Sequence, residues 1–175
     1  MKKWITGVLL SLSVAALVAA GALAAPAQPR AFVITRTPFG HLLGDAAKAA
    51  LSNFFKREQN YLTLQSNYLK QATDISGAVQ KLIDAAKAEG KDTSALDSAL
   101  TQYNNDIGQA QSANTTAGSA ITVHDGFDGA GAVTDLQAAY QTVLNVRLSL
   151  RNAHGLIVQA VTSLRQAIDT WRQTH

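Results

Sequence analysis

The sequence predicts an all-α protein: an elongated, antiparallel, coiled-coil-like three-helix bundle that follows a cleaved signal peptide and a short irregular arm. Three observations carry that reading. The prolines, Pro26, Pro29 and Pro38, all lie early, so the rest of the chain holds no strong helix breaker. Apolar residues then recur at spacings of three and four through three long segments. Only Phe32 to Ile34 reads as a strand, and no second run is present to pair with it. With 47% apolar and 15% charged residues the chain is too apolar for disorder, and its 175 residues suit one domain.

Lys2 and Lys3 precede an uncharged run from Ile5 to Ala25 that contains Ala22-Leu23-Ala24. A basic start, a short apolar centre and small residues at the cleavage point predict a signal peptide over 1–24, cut after Ala24. The product is expected outside the cytoplasm, secreted or periplasmic, with no stable membrane insertion after cleavage. There are no cysteines, so neither a lipidated amino terminus nor a disulfide can form. The leader carries two of the 15 Lys and Arg, and 12 Asp and Glu oppose the rest, so the mature chain is nearly neutral and has no broad footprint for nucleic acid.

Residues 25–44 are expected to form an extended arm whose Phe32, Val33, Ile34 and Phe39 can dock on the bundle. Helix 1 is expected over about 45–89, capped by Asp45, with apolar residues at a seven-residue step (Phe54, Tyr61, Tyr68, Ile75, Leu82) and a parallel row of Phe55, Leu62, Leu69 and Ile83. Gly77 allows a kink, although an unbroken helix is the first choice, and Gly90 supplies the stop. Helix 2, over 94–123, starts at Thr93 or Ser94 and is the weakest segment, because Asn104, Asn105, Gly108, Asn114, Thr115, Thr116 and Gly118 lower its propensity. Helix 3, over about 135–173, has the capping-box pair Thr134 and Gln137. Its spacing of three and four runs unbroken from Leu136 to Trp171, interrupted in character only by Arg147 and His154.

Helix 2 has room for roughly 30 residues, against about 40 in the other two, or about 45 Å against about 60 Å. That mismatch predicts overhangs exposing Phe54, Phe55 and Trp171 as a partner surface, with Arg151, Arg165 and Arg172 as a sparse basic stripe alongside. The same registration sets Arg147 level with Ala72 to Ile75, close enough to pair with Asp74 or Asp106, and makes Arg147 and His154 polar positions in the seam.

The four histidines stand apart, with no His-Glu-x-x-His or Glu-x-x-His, so di-iron chemistry of the ferritin kind lacks its ligands. Haem attachment, a Gly-x-Ser-x-Gly elbow and a phosphate-binding glycine loop are missing too. Asp125 to Asp135 has a faint calcium-loop pattern, but Gly126 and Ala130 occupy donor places and Gln137 closes it, so a helix-connecting loop is expected. Tyr61, Tyr68, Tyr103 and Tyr140 are expected in the core rather than around a ligand. No catalytic, cofactor or metal site is predicted, and the protein is expected not to be an enzyme.

The segments Arg57 to Leu62, Val79 to Asp84 with Lys87 to Leu96, and His124 to Asp135 together resemble an uncharacterised family of exported bacterial helical proteins. The likeness spans nearly all of the mature chain and rests on helix boundaries and loops; it implies the same fold, with no activity to carry over. Two functions are expected from different classes. One is a structural or protein-interaction module with a protein partner or self-association. The other is a small-ligand carrier, or a holdase-type chaperone, with an apolar cleft between helices.

Overall fold

Long helices follow where no residue stops them. In the computed structural model, which describes residues 40–174, three helices are present and no strand: α1 is Gly40–Ala88, α2 is Ser94–Val123 and α3 is Leu136–Thr174. The predicted leader and most of the predicted arm lie outside the described residues. The last part of that arm, 40–44, is already helix, because nothing after Pro38 interrupts the turn. Asp45 therefore sits inside α1 and does not cap it. The helix passes Gly77 without a break and ends at Ala88, and Gly90 in the turn that follows has a φ of +74°.

The chain runs up, down and up. Tyr103 Oη donates to the Ala72 carbonyl at 2.9 Å, Ser76 Oγ to Asn104 Oδ1 at 2.7 Å, and Asn114 Nδ2 to Ser66 Oγ at 3.1 Å, which pins α2 antiparallel to α1. Phe55 packs with Ala139 and Val143, and Leu62 with Val146 and Leu150, so α1 and α3 are parallel. α2 and α3 approach each other far more closely than either approaches α1. Small buried residues explain it: Ala110 and Ala117 on α2, with Ala153 and Ala160 on α3, let the backbones come together. The low propensity of α2 is offset by this close packing; Thr101, Ser112, Thr115, Thr116 and Thr122 satisfy their hydroxyls by donating to the carbonyl four residues back, which does not itself strengthen the helix.

The mismatch in helix length is resolved by the loop 124–135 rather than by overhanging aromatics. His124 takes a left-handed φ of 44° as the C-cap of α2, and Phe127 and Val133 then meet in an isolated bridge. The Phe127 ring stacks on Phe55 with centroids 4.2 Å apart. This loop continues where α2 stops, so α3 begins level with Leu51 and Phe55. Asp135, not Thr134, caps α3: its Oδ1 accepts from the Ala138 amide at 2.9 Å. At the other end the α1–α2 turn covers Trp171, whose Nε1 donates to the Asp92 carbonyl at 2.7 Å.

Candidate functional site

Among the described residues, the expected partner surface divides. Phe55 and Trp171 are buried, at 2% and 9% exposure, and belong to the core for the reasons just given; Phe54, at 37%, faces out. Arg165 and Arg172 lie on either side of Asp169, at 3.8 and 3.9 Å, as exposed pairs on one helix face. Pairs of this kind contribute little to stability. Arg151 is exposed and closer to the amino-terminal end of α1, where the structure gathers the more informative residues.

The core face of α1 differs from the predicted one. Phe54 and Tyr61 are exposed and Tyr68, Ile75 and Leu82 only partly covered, so that row is a flank. The buried face pairs the Phe55, Leu69 and Ile83 row with Glu58, Gln65, Ala72, Val79 and Ala86, again at a seven-residue step. Glu58 and Gln65 were missed because they are polar. Extending the Ala72, Val79, Ala86 row back by one and then two steps of seven lands on Gln65 and Glu58, which was the signal available in the sequence.

Glu58 and Gln65 are each only 7% exposed. Burial pushes the Glu58 carboxyl above its usual range; Arg147, then Arg57 and Arg151, pull it back without cancelling that effect. Arg147 therefore faces Glu58 and not Asp74 or Asp106. The predicted registration was about four to five turns out, because it treated 124–135 as a simple turn and so started α3 too far along α1. The Gln65 Nε2 and the Asn114 Oδ1, a donor and an acceptor, are both buried without a partner, and Ser66, next to Gln65, bonds Asn114. His154, half-buried on the same flank of α3 as Arg147, gathers no metal-binding set; no group of three or more His, Asp or Glu suited to a metal occurs among the described residues.

Two aromatic walls flank Glu58. On α3, Thr142 Oγ1 donates to the Asp125 carbonyl at 2.9 Å and so marks the flank facing the end of α2. Tyr140 and Arg147 lie on the opposite flank, toward α1. Tyr140 is 45% exposed, and Tyr61 and Leu64 on α1 are 36% and 51% exposed. Of the four tyrosines only Tyr103 is fully in the core, where burial raises its hydroxyl to about 12. The Arg57 guanidinium lies 5.8 Å from the centre of the Phe54 ring. A separate open groove of about 590 Å³ runs between α1 and α2 past Leu62, Ser66, Asn114 and Gly118.

In the loop, the acids serve the backbone. Asp128 Oδ1 accepts from the amides of Ala130 and Ala132, at 2.9 and 2.8 Å, and Asp135 caps α3. The faint calcium pattern is thus a helix-connecting loop that uses its carboxylates to order itself.

A charged carboxylate held in this seam opposes folding, which gives a pH prediction. Glu58 has a folded pKa above its unfolded value near 4.5, so its contribution to stability is fully present below that pH and is lost as pH rises through the folded pKa. Glu58→Gln is expected to raise the Tm at pH 7 by about 2–4 °C, or about 1 kcal/mol. The gap from wild type should close as the pH falls toward 4.5. Circular-dichroism melts at several pH values check this; a gap that widens on acidification would reverse the assignment.

Comparison with protein-family models, with curated protein sequences and with solved structures returns no match. What can be said of function therefore rests on the residues themselves. No helix of the described residues is long and apolar enough to cross a membrane.

Proposed function

We propose that the chain is an exported, non-catalytic interaction module that binds another protein through the flank formed by α1 and α3. One observation carries this reading: Phe54, Tyr61 and Tyr140, large apolar side chains on two parallel helices, stand exposed at the same end of the bundle. Isolated exposed apolar residues are ordinary, but aromatics gathered beside arginines have the composition of binding hot spots. Export rests on the leader pattern and cleavage after Ala24, and the resemblance to exported helical proteins agrees with it.

The carrier reading draws on the groove between α1 and α2. Its walls are mixed, with Leu62, Ile121 and Val123 beside Ser66, Asn114 and Thr115, and its open mouth suits an apolar ligand less well than an enclosed cavity does.

Placing a photo-cross-linking residue at Tyr61 or Tyr140 in the full chain, in its own host, tests the interaction reading. The expected result is one dominant protein adduct from both positions and none from Gln80, exposed farther along α1. Tyr61→Ser with Tyr140→Ser should abolish capture and shift stability by no more than about 0.5 kcal/mol per site, as surface changes do. Equal adducts from every position, or a co-purifying small molecule with no adduct, would count against the proposal. The mass of the exported product tests cleavage after Ala24 separately.

A further inference from the structure

We propose that the groove between α1 and α3 receives an amphipathic helix of another protein, one that carries acidic side chains on both flanks of a short apolar stripe. The inference rests on the interaction reading above and adds the chemistry of the partner.

The shape comes from the packing. α1 and α3 are parallel, and α1 stands farther from α3 than α2 does. Two parallel helices leave a furrow between them that a ridge of a further helix fits, completing a four-helix arrangement. Phe54 and Tyr61 line one wall and Tyr140 the other. From Phe54 to Leu64 the wall is about 15 Å long, which is three turns of a bound helix. Glu58 and Gln65 lie buried along the base.

The charge comes from what the arginines lack. Glu58 offsets Arg147, its strongest charged neighbour. Among the described residues, Arg57 on one wall and Arg151 on the other have no acidic partner at ion-pair distance, and neither do Arg147, Lys48, Lys56, Lys70 and Lys81; Lys87, Lys91, Arg165 and Arg172 are paired. The furrow is apolar along its walls and cationic at both rims. It complements a helix with apolar residues at one face and Asp or Glu on each side, and guanidinium forks on both rims can fix such a helix in register.

A second copy of this chain does not supply that pattern. No helix here has two acidic residues three, four or seven positions apart. A flat anionic membrane meets a furrow poorly, and it forms an arm of the test.

The probes are two fluorescent peptides of about fourteen residues, each with leucines at helical spacing; one has glutamates on both flanks, the other lysines. Anisotropy is read with the full chain at low and high salt, beside vesicles of phosphatidylglycerol. The glutamate peptide is expected to bind and the lysine peptide not. Arg57→Glu with Arg151→Glu should weaken binding at least about tenfold, and Arg165→Glu, outside the groove, should leave it unchanged. Equal binding of both peptides, insensitivity to the double reversal, an equal loss in Arg165→Glu, or binding to vesicles alone overturns the proposal. If the glutamate peptide fails while Tyr61 still captures a host protein, the acidic-helix inference falls and the interaction reading stands.

Discussion

Phe55→Ala is expected to lower stability by about 3–5 kcal/mol, while Phe54→Ala, one residue away, costs less than about 1 kcal/mol. Both are phenylalanines on the same turn of α1, so composition and helix propensity are matched. What differs is burial: 2% exposure against 37%. Phe55 fills the space among Phe127, Ala139 and Val143, with Leu51, Ile121 and Val133 packed around it. Truncation leaves a cavity there and removes the stack on Phe127 at 4.2 Å, a contact worth about 0.5–1.5 kcal/mol by itself. Phe55→Leu should therefore lose less than Phe55→Ala but more than Phe54→Ala. Chemical denaturation of the three variants gives the ranking, and a larger loss from Phe54→Ala would mean that the α1 face has been rotated wrongly. The predicted effect on binding runs the other way: Phe54 is on the open wall, so its truncation should weaken capture of a partner with little change in folding.

Those two neighbours also show how far the sequence could be read. The fold class, the span of α2 and the course of α3 were legible because an unbroken spacing of three and four leaves a helix only one face to bury. On α1 the same logic saw two apolar rows, Phe54 with Tyr61 and Phe55 with Leu62, and had no means of choosing between them as centre of the seam. The deciding row contains Glu58 and Gln65, and polar residues at core positions are invisible to an apolar count. Once that row was missed, the candidate site was missed with it. The cationic partners were half legible: Arg147 stood out as an exception in the seam, but its acid was sought at Asp74 and Asp106. That error came from the loop 124–135. Twelve residues rich in Gly and Asp read as a simple connection, when they form a folded cap that holds α3 several turns from where a tight turn would leave it. A loop's length is written in the sequence; the path of its backbone depends on long-range contacts such as Phe127 on Phe55, and periodicity does not report these.

The same loop supplies the last prediction. Gly126→Ala is expected to cost about 3–5 kcal/mol, unusually much for the addition of one methyl group. Two effects combine. The backbone of Gly126 has φ +80°, a region that costs an L side chain about 1–2 kcal/mol. A Cβ there would also lie 2.1 Å from the Ala139 amide nitrogen and 2.7 Å from Ala138 C, which are backbone atoms of α3 that cannot swing aside. The Gly126 carbonyl meanwhile accepts from the amides of Thr134 and Asp135, so displacing it disturbs the residue that caps α3. Gly131→Ala separates the two effects. Its φ is nearly the same, +79°, but the nearest atoms to a new Cβ are the side-chain atoms Phe55 Cδ1 at 3.7 Å and Lys56 Cε at 3.8 Å, which is ordinary contact. It should cost only the backbone share, about 1–2 kcal/mol. Equal losses in the two variants would show that the close approach to α3 contributes nothing. If the approach does hold the loop, Gly126→Ala should also expose the Phe55 face and raise binding of a hydrophobic dye, and Gly131→Ala should not. Since α3 begins at this contact, the position of Tyr140 relative to Tyr61 depends on it. Partner capture through the α1–α3 furrow should therefore fall in Gly126→Ala even at temperatures where the helices remain formed.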